Sequence, residues 1–162
     1  MKDRSNVIVV GVDGSVGADA ALDFALREGT ARGCPVEVVT AWLWVSSADM
    51  LGHQNQVRDG KIVVQQMQDD VVEQALARAA DRLPEVSQLV VHDFAGRVLS
   101  ARSEGVSMLV IGSGAQTSST DRTLGAVAEY CLRHSPVPVL VVPQPERVRA
   151  RTAISDYSLI PA

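Results

Sequence analysis

Aromatic residues are almost absent: Trp, Tyr and Phe make up 4% of the 162 residues, against 46% hydrophobic residues in all. A core must therefore be built from Val, Leu, Ala and Ile, which suits buried parallel strands under helices with small side chains. Cysteine occurs only as Cys34 and Cys131, with neither a CxxC spacing nor a nearby histidine in a ligand pattern. That excludes a disulfide framework and a zinc site, and leaves two buried free thiols in a reducing compartment. No hydrophobic run approaches the length of a membrane span. The apolar run near the start is too short for a signal-peptide core and Asp13 interrupts it, so a cytoplasmic location is expected. Basic excess is missing as well. A net charge of -4 argues against nucleic acid or a membrane as a partner, since both require a dense basic face. Arg147, Arg149 and Arg151 form the one basic cluster and read as part of a solvated tail.

What is present is a regular alternation. The runs Val7 to Val12, Val36 to Ala41, Leu89 to His92, Met108 to Ile111 and Val137 to Val142 are short, rich in Val and nearly free of alternation, as strands buried on both faces are. Helical period fills the gaps: Ala18, Ala21, Leu22, Ala25 and Leu26; then Val63, Met67, Val71, Ala75, Ala79 and Leu83; a weaker stretch from Ala95 to Glu104; and Leu124, Val127, Cys131 and Leu132. Ser15 is placed to cap the first helix and Gly33 to end it, with Gly105 and Pro136 following the third and fourth. The result is an α/β chain of five strands and four helices. Right-handed crossovers fold it into an open doubly wound parallel sheet in three layers. Residues 43–60 fit neither period and read as one long connection. Pro138 confines the last strand to a sheet edge or to a start beyond the proline. An exposed Val139-Leu140-Val141-Val142 edge invites pairing, so a homodimer through or near Val137 to Val142 is expected, unless the tail folds back over it. The domain is expected to span residues 1–145, with 146–162 as a tail.

Ligands of such sheets bind beyond the carboxyl ends of the strands, where strand order reverses. Two strand ends carry suitable chemistry. In "VGVDGS" a strand ends in a carboxylate, Asp13, followed by Gly14 and by Ser15 at a helix start. In "VIGSGAQTSSTDRTLGAVAEY" a strand breaks into Gly112-Ser113-Gly114, and Gly125 opens a helix whose free N–H groups attract anions. Together they outline a mononucleotide site, with the carboxylate toward the nucleoside and the loop toward phosphate. Taken singly, a strand-end Asp is more often a helix cap, and a Gly-Ser-Gly is more often a plain turn. The histidines have plain roles. His134 closes a helix whose dipole favours it, and His92 and His53 are solvated. Trp42 and Trp44, two residues apart, share one face and read as core or dimer contacts rather than a stacking platform.

"VIVVGVDGS", "VVTAW", "FAGRVLSARSEGVSMLVIGS" and "LGAVAEYCLRHSPVPVLVV", in this order, resemble the universal stress protein family from Val7 to Val142. The resemblance implies a strand order of 3-2-1-4-5, a dimer through the last strand, a role in stress or dormancy, and in many members ATP binding. It implies contacts to adenine and ribose from Val12, Asp13, Gly14, Ser15 and Ala41, and to phosphate from Gly112, Ser113, Gly114, Ala115, Gly125 and Ala126. The cofactor implied is ATP or another adenine nucleotide, with or without Mg.

The family's phosphate motif is a glycine, two residues, a glycine, nine residues, a glycine and a Ser or Thr. Here its second glycine falls on Ala115 and its hydroxyl residue on Ala126. The lost hydroxyl costs about 0.5–1.5 kcal/mol, and a Cβ where positive φ is needed costs roughly 1–2 kcal/mol. Gly114 can supply the turn in a shifted register, and Gln116, Thr117, Ser118, Ser119, Thr120 and Arg122 can offer side chains to phosphate. A stress-response regulator that changes protein partners on binding nucleotide is one expectation; a nucleotide-free dimeric interaction module of the same fold is the other. An enzyme is not expected beyond slow ATP hydrolysis, because "VDGSVG" lacks the SGGxDS-like turn with which adenylating relatives of this type of fold hold pyrophosphate.

Overall fold

The computed structural model describes residues 3–43, 53–79, 82–114 and 124–144. The chain runs β1 (Ile8–Gly11), α1 (Val16–Arg32), β2 (Val36–Trp42), α2 (His53–Arg78), β3 (Val86–His92), α3 (Ala95–Arg102), β4 (Met108–Gly112), α4 (Ala126–His134) and β5 (Val139–Val142). The strands form one parallel sheet of order β3-β2-β1-β4-β5. Alternate residues of the central strands feed two cores. Ile8, Val10, Val36, Val38 and Val110 meet α1 and α2 on one face, and Val9, Val39, Leu109 and Ile111 meet α3 and α4 on the other. Each such side chain contributes about 1.5–3 kcal/mol of burial.

Local punctuation matches the chemistry of the residues. Ser15 Oγ accepts a hydrogen bond from the Ala18 amide at 3.2 Å, and Gly33 stops α1 in the left-handed region at φ 66°. β5 begins one residue after Pro138 and occupies a sheet edge. Its ladder shows which groups are spare. The Pro138 and Val142 carbonyls accept from Leu109 and Ser113 of the β4 side, so Val139 and Val141, of opposite orientation, turn their N–H and C=O outward. The tail that was the alternative cover for this edge lies beyond Gln144, outside the described residues.

Several expectations are corrected. β3 starts at Val86 rather than Leu89, because an edge strand tolerates the exposed Ser87 and Gln88. Residues 53–60, taken from the sequence as loop, belong to α2. At 26 residues that helix rises about 39 Å, while the seven residues of β2 cover about 23 Å. The first turns of the helix, His53 to Gly60, are mostly polar and carry no apolar period, although Trp42 at the end of β2 reaches Gly60. The same helix ends at Arg78, short of Leu83, and buries Gln68, Val72 and Ala75 while Val63 stays exposed. On α4, Ala128 and Cys131 are buried and Leu124 and Leu132 exposed.

Two polar devices lock the layers. Gln68, wholly buried, donates from Nε2 to Thr40 Oγ1 at 2.9 Å and reaches the Val38 and Leu89 carbonyls at 3.2 Å, fixing α2 on β2 and β3. At the opposite end of β2 the buried Glu37 carboxylate takes Arg4 on Oε2 at 2.7 Å and Arg102 Nε on Oε1 at 2.7 Å. One carboxylate thereby joins the N-terminal segment, the sheet and α3.

Glu37→Ala is expected to lower unfolding stability by about 1–3 kcal/mol, since two partly buried guanidiniums lose their acceptor; urea titration measures it. Both thiols are buried, and burial pushes the Cys131 thiol pKa up. The native protein should therefore resist thiol reagents over minutes and react at both cysteines once denatured.

Candidate functional site

Strand order reverses between β1 and β4, and there the carboxyl ends of the strands open into a cleft of about 350 Å³. Its floor is Gly11, Val39, Ile111 and Gly112; one wall is the turn Val12-Asp13 with Ser15 and Ala18; the other is Ala95 and Leu99 of α3 with Gly125 to Ala128 of α4. Of the residues expected from sequence, Val12, Asp13, Ser15, Ala41, Gly112, Gly114, Gly125 and Ala126 come together here. Gly14 faces Met67 of α2 instead. Ser113 is occupied with the neighbouring chain, its amide bonded to the Val142 carbonyl at 2.9 Å and its Oγ accepting from the Gln144 amide at 3.3 Å. Ala115 lies outside the described residues, as do 116–123.

Missing backbone bulk shapes the cleft. A Cβ on Gly112 would lie 2.7 Å from the Gly17 carbonyl carbon, so the end of β4 fits against the first turn of α1 only without a side chain. Gly114 has φ 93°, a conformation that disfavours any Cβ, and a Cβ there would lie 2.8 Å from Gly125 Cα. The Gly125 amide donates to the Ser113 carbonyl at 2.9 Å. The two ends of the loop thus close into a neck. Among the described residues of the loop, Gly114 is the glycine with positive φ, one position before Ala115.

Polar groups in the cleft are few and oriented. Asp13 Oδ1 accepts the Ser15 amide at 3.0 Å, an Asx turn that holds the carboxylate at the mouth, and Oδ2 makes no hydrogen bond among the described residues. The helix-cap reading of this Asp is thus half right: one oxygen serves the turn. On the facing wall α4 starts at Gly125 with no side-chain cap. Its first intrahelical amide is that of Glu129, and among the described residues the N–H groups of Ala126, Val127 and Ala128 have no partner. Among the described residues no cluster of metal-ligating side chains occurs.

Other singled-out residues stand apart. Trp42 packs against His92 with ring centroids 4.6 Å apart and planes tilted by 50°, and covers Gly60 of α2, while Trp44 lies outside the described residues. His134 sits at the end of α4 as expected, with Nδ1 2.8 Å from the Tyr130 carbonyl and its ring stacked on Tyr130 at 4.0 Å. Sequence reasoning missed Gly11, Val39, Ala95 and Leu99. Only Gly11, a glycine inside a valine run, carried a signal.

An open doubly wound α/β protein with a cleft at the switch point is the class that this geometry defines. The model of the universal stress protein family matches residues 5–143, and the chain belongs to that family. A universal stress protein of Mycobacterium tuberculosis is 32% identical over 139 residues, covering 85% of this chain and 45% of the relative; a second from that organism is 29% identical over 136 residues, covering 83% and 44%. The chain therefore spans about half the length of the curated relatives it matches. Among solved structures, universal stress protein UspA from Lactobacillus plantarum superposes with a TM-score of 0.67 at 18% identity, over 86% of this chain and 98% of that one. A universal stress protein in complex with cAMP gives 0.66 at 21%, over 88% and 99%. One from Archaeoglobus fulgidus in complex with dAMP gives 0.55 at 20%, over 86% and 98%.

Gly112→Ala is expected to cost about 1–3 kcal/mol, since only movement of α1 against β4 relieves the contact. A lowered thermal midpoint with unchanged far-ultraviolet circular dichroism at 20 °C checks it.

Proposed function

We propose that this protein is a cytoplasmic, homodimeric stress-response regulator that binds an adenine nucleotide, ATP among them, in the cleft between β1 and β4. The carrying observation is that Asp13 and the uncapped N-terminus of α4 line opposite sides of one apolar cleft. Adenine packs on Val12, Val39, Ala41 and Leu99, the ribose hydroxyls donate to Asp13, and a phosphate oxygen accepts from the α4 amides. The cleft lies near the lower end of ligand-site volumes, about 300–1,000 Å³. A nucleoside monophosphate is thus enclosed, while further phosphates project toward the neck. That two solved neighbours hold cAMP and dAMP supports the adenine reading. In this reading the protein is a binding regulator with at most slow ATP hydrolysis, and any Mg arrives with the nucleotide.

Ala126 favours the second reading, a nucleotide-free dimeric interaction module, because the residue that opens α4 brings no hydroxyl to phosphate. Calorimetric titration of nucleotide-stripped protein with MgATP, ADP and AMP decides between them. Submillimolar binding, weakened tenfold or more by Asp13→Ala, is the expected result. Absence of heat with every nucleotide at millimolar concentration leaves the interaction module.

In this reading the dimer forms at β5, where the N–H and C=O groups of Val139 and Val141 face outward. Val141→Pro removes one outward donor and leaves the β4 ladder intact. It should shift sedimentation from dimer to monomer with the circular dichroism spectrum retained. A parent protein that sediments as a monomer would overturn this placement.

A further inference from the structure

Resting on the nucleotide and dimer readings above, we propose that Ser113 is a positioning residue that couples the two, so that a phosphate held at the start of α4 tightens the pairing of a second copy at β5. Ser113 does not line the cleft, although Gly112 and Gly114 on either side of it do. Its amide donates to the Val142 carbonyl at 2.9 Å, its Oγ accepts from the Gln144 amide at 3.3 Å, and its carbonyl accepts from the Gly125 amide at 2.9 Å. One residue thus ties the end of β4 both to the end of β5 and to the residue that opens α4.

Neither junction has slack. A Cβ on Gly114 would lie 2.8 Å from Gly125 Cα, so the neck is already at backbone contact. An anion that engages the amides of Ala126, Val127 and Ala128 therefore fixes Gly125, and through it Ser113. On the β5 side the bonds alternate along the strand. Val142 and Gln144 face Ser113, while Val141 beside them turns its N–H and C=O outward, where a second copy pairs.

The two events thus order the same few residues. Whichever comes first leaves less for the other to order, so the coupling is positive. It is also reciprocal: the factor by which nucleotide tightens the dimer is the factor by which the dimer tightens nucleotide. The base end of the cleft has no such link. Val39 and Ala41 belong to β2, which β1 and β4 separate from β5. The effect accordingly belongs to the phosphate and not to the nucleoside.

The test is sedimentation over a range of protein concentrations without ligand, with saturating AMP and with saturating adenosine, calorimetry confirming which of them is bound. AMP is expected to lower the dimer dissociation constant about fivefold or more, and adenosine to change it by less than about twofold. Ser113→Ala, with the thermal midpoint as the check on folding, should remove most of the AMP effect, and Ser113→Thr, which keeps the hydroxyl, should restore it. Should Ser113→Ala fold poorly, Gln144→Pro removes the donor of the same bond and should act alike. AMP should bind the monomeric Val141→Pro variant more weakly than the parent dimer, by the factor seen in sedimentation.

A dimer constant that bound AMP leaves unchanged overturns the coupling and leaves the cleft reading intact. An AMP effect retained in full by Ser113→Ala or Gln144→Pro overturns the assignment to Ser113. Equal effects of AMP and adenosine overturn it as well, since the phosphate then has no part. A parent protein that binds neither ligand overturns the coupling together with the nucleotide reading, and one that stays monomeric with AMP bound overturns it together with the dimer placement alone.

Discussion

No side chain fits where β4 meets the first turn of α1, and the cleft depends on that exclusion. The backbone of Gly112 lies against the backbone of Gly17, which lets the start of α1 sit directly beside the end of β4 and brings Asp13 and Ser15 into the same cleft as Gly114 and Gly125. A larger residue at position 112 would separate the carboxylate from the helix end across from it. The valine-rich sheet supplies the rigidity, and the glycines set how closely the two elements approach.

Rigidity is unevenly distributed. Gln68 fastens α2 to β2 and β3, and Glu37 fastens the opposite end of β2 to two arginines. Both devices lie away from the cleft, one under α2 and one at the amino ends of the strands. Within the cleft the polar bonds are short-range ones that shape turns: Asp13 to Ser15, Ser15 to Ala18, Gly125 to Ser113. The long-range polar bonds that hold the layers together thus lie outside the cleft.

Much of this was legible in the residues. Uninterrupted valine runs announced the strands, of which β1, β2 and β4 are largely buried while the edge strands β3 and β5 are only partly so, and Ser15, Gly33 and Pro138 announced element boundaries. Strand order came from the family resemblance, since periodicity alone does not rank strands. The first turns of α2 were missed because His53 to Gly60 are mostly polar and carry no apolar period from which a helix is read. In the site, Asp13, Gly112, Gly114 and Gly125 were visible as unusual residues at strand and helix ends. Ala95 and Leu99 were not, being ordinary apolar residues brought to the cleft only by the crossover of α3.

The neck at Gly114 and Gly125 separates the history of the loop from that of the fold. Its two ends are held together by their own backbone contact, so the scaffold does not depend on which residues join them. Even doubling the length of such a segment costs only about 0.6 kcal/mol. The same scaffold can accordingly carry a glycine-rich cradle in one protein and a run of Gln, Thr and Ser in another, and can exchange one for the other without renegotiating its core.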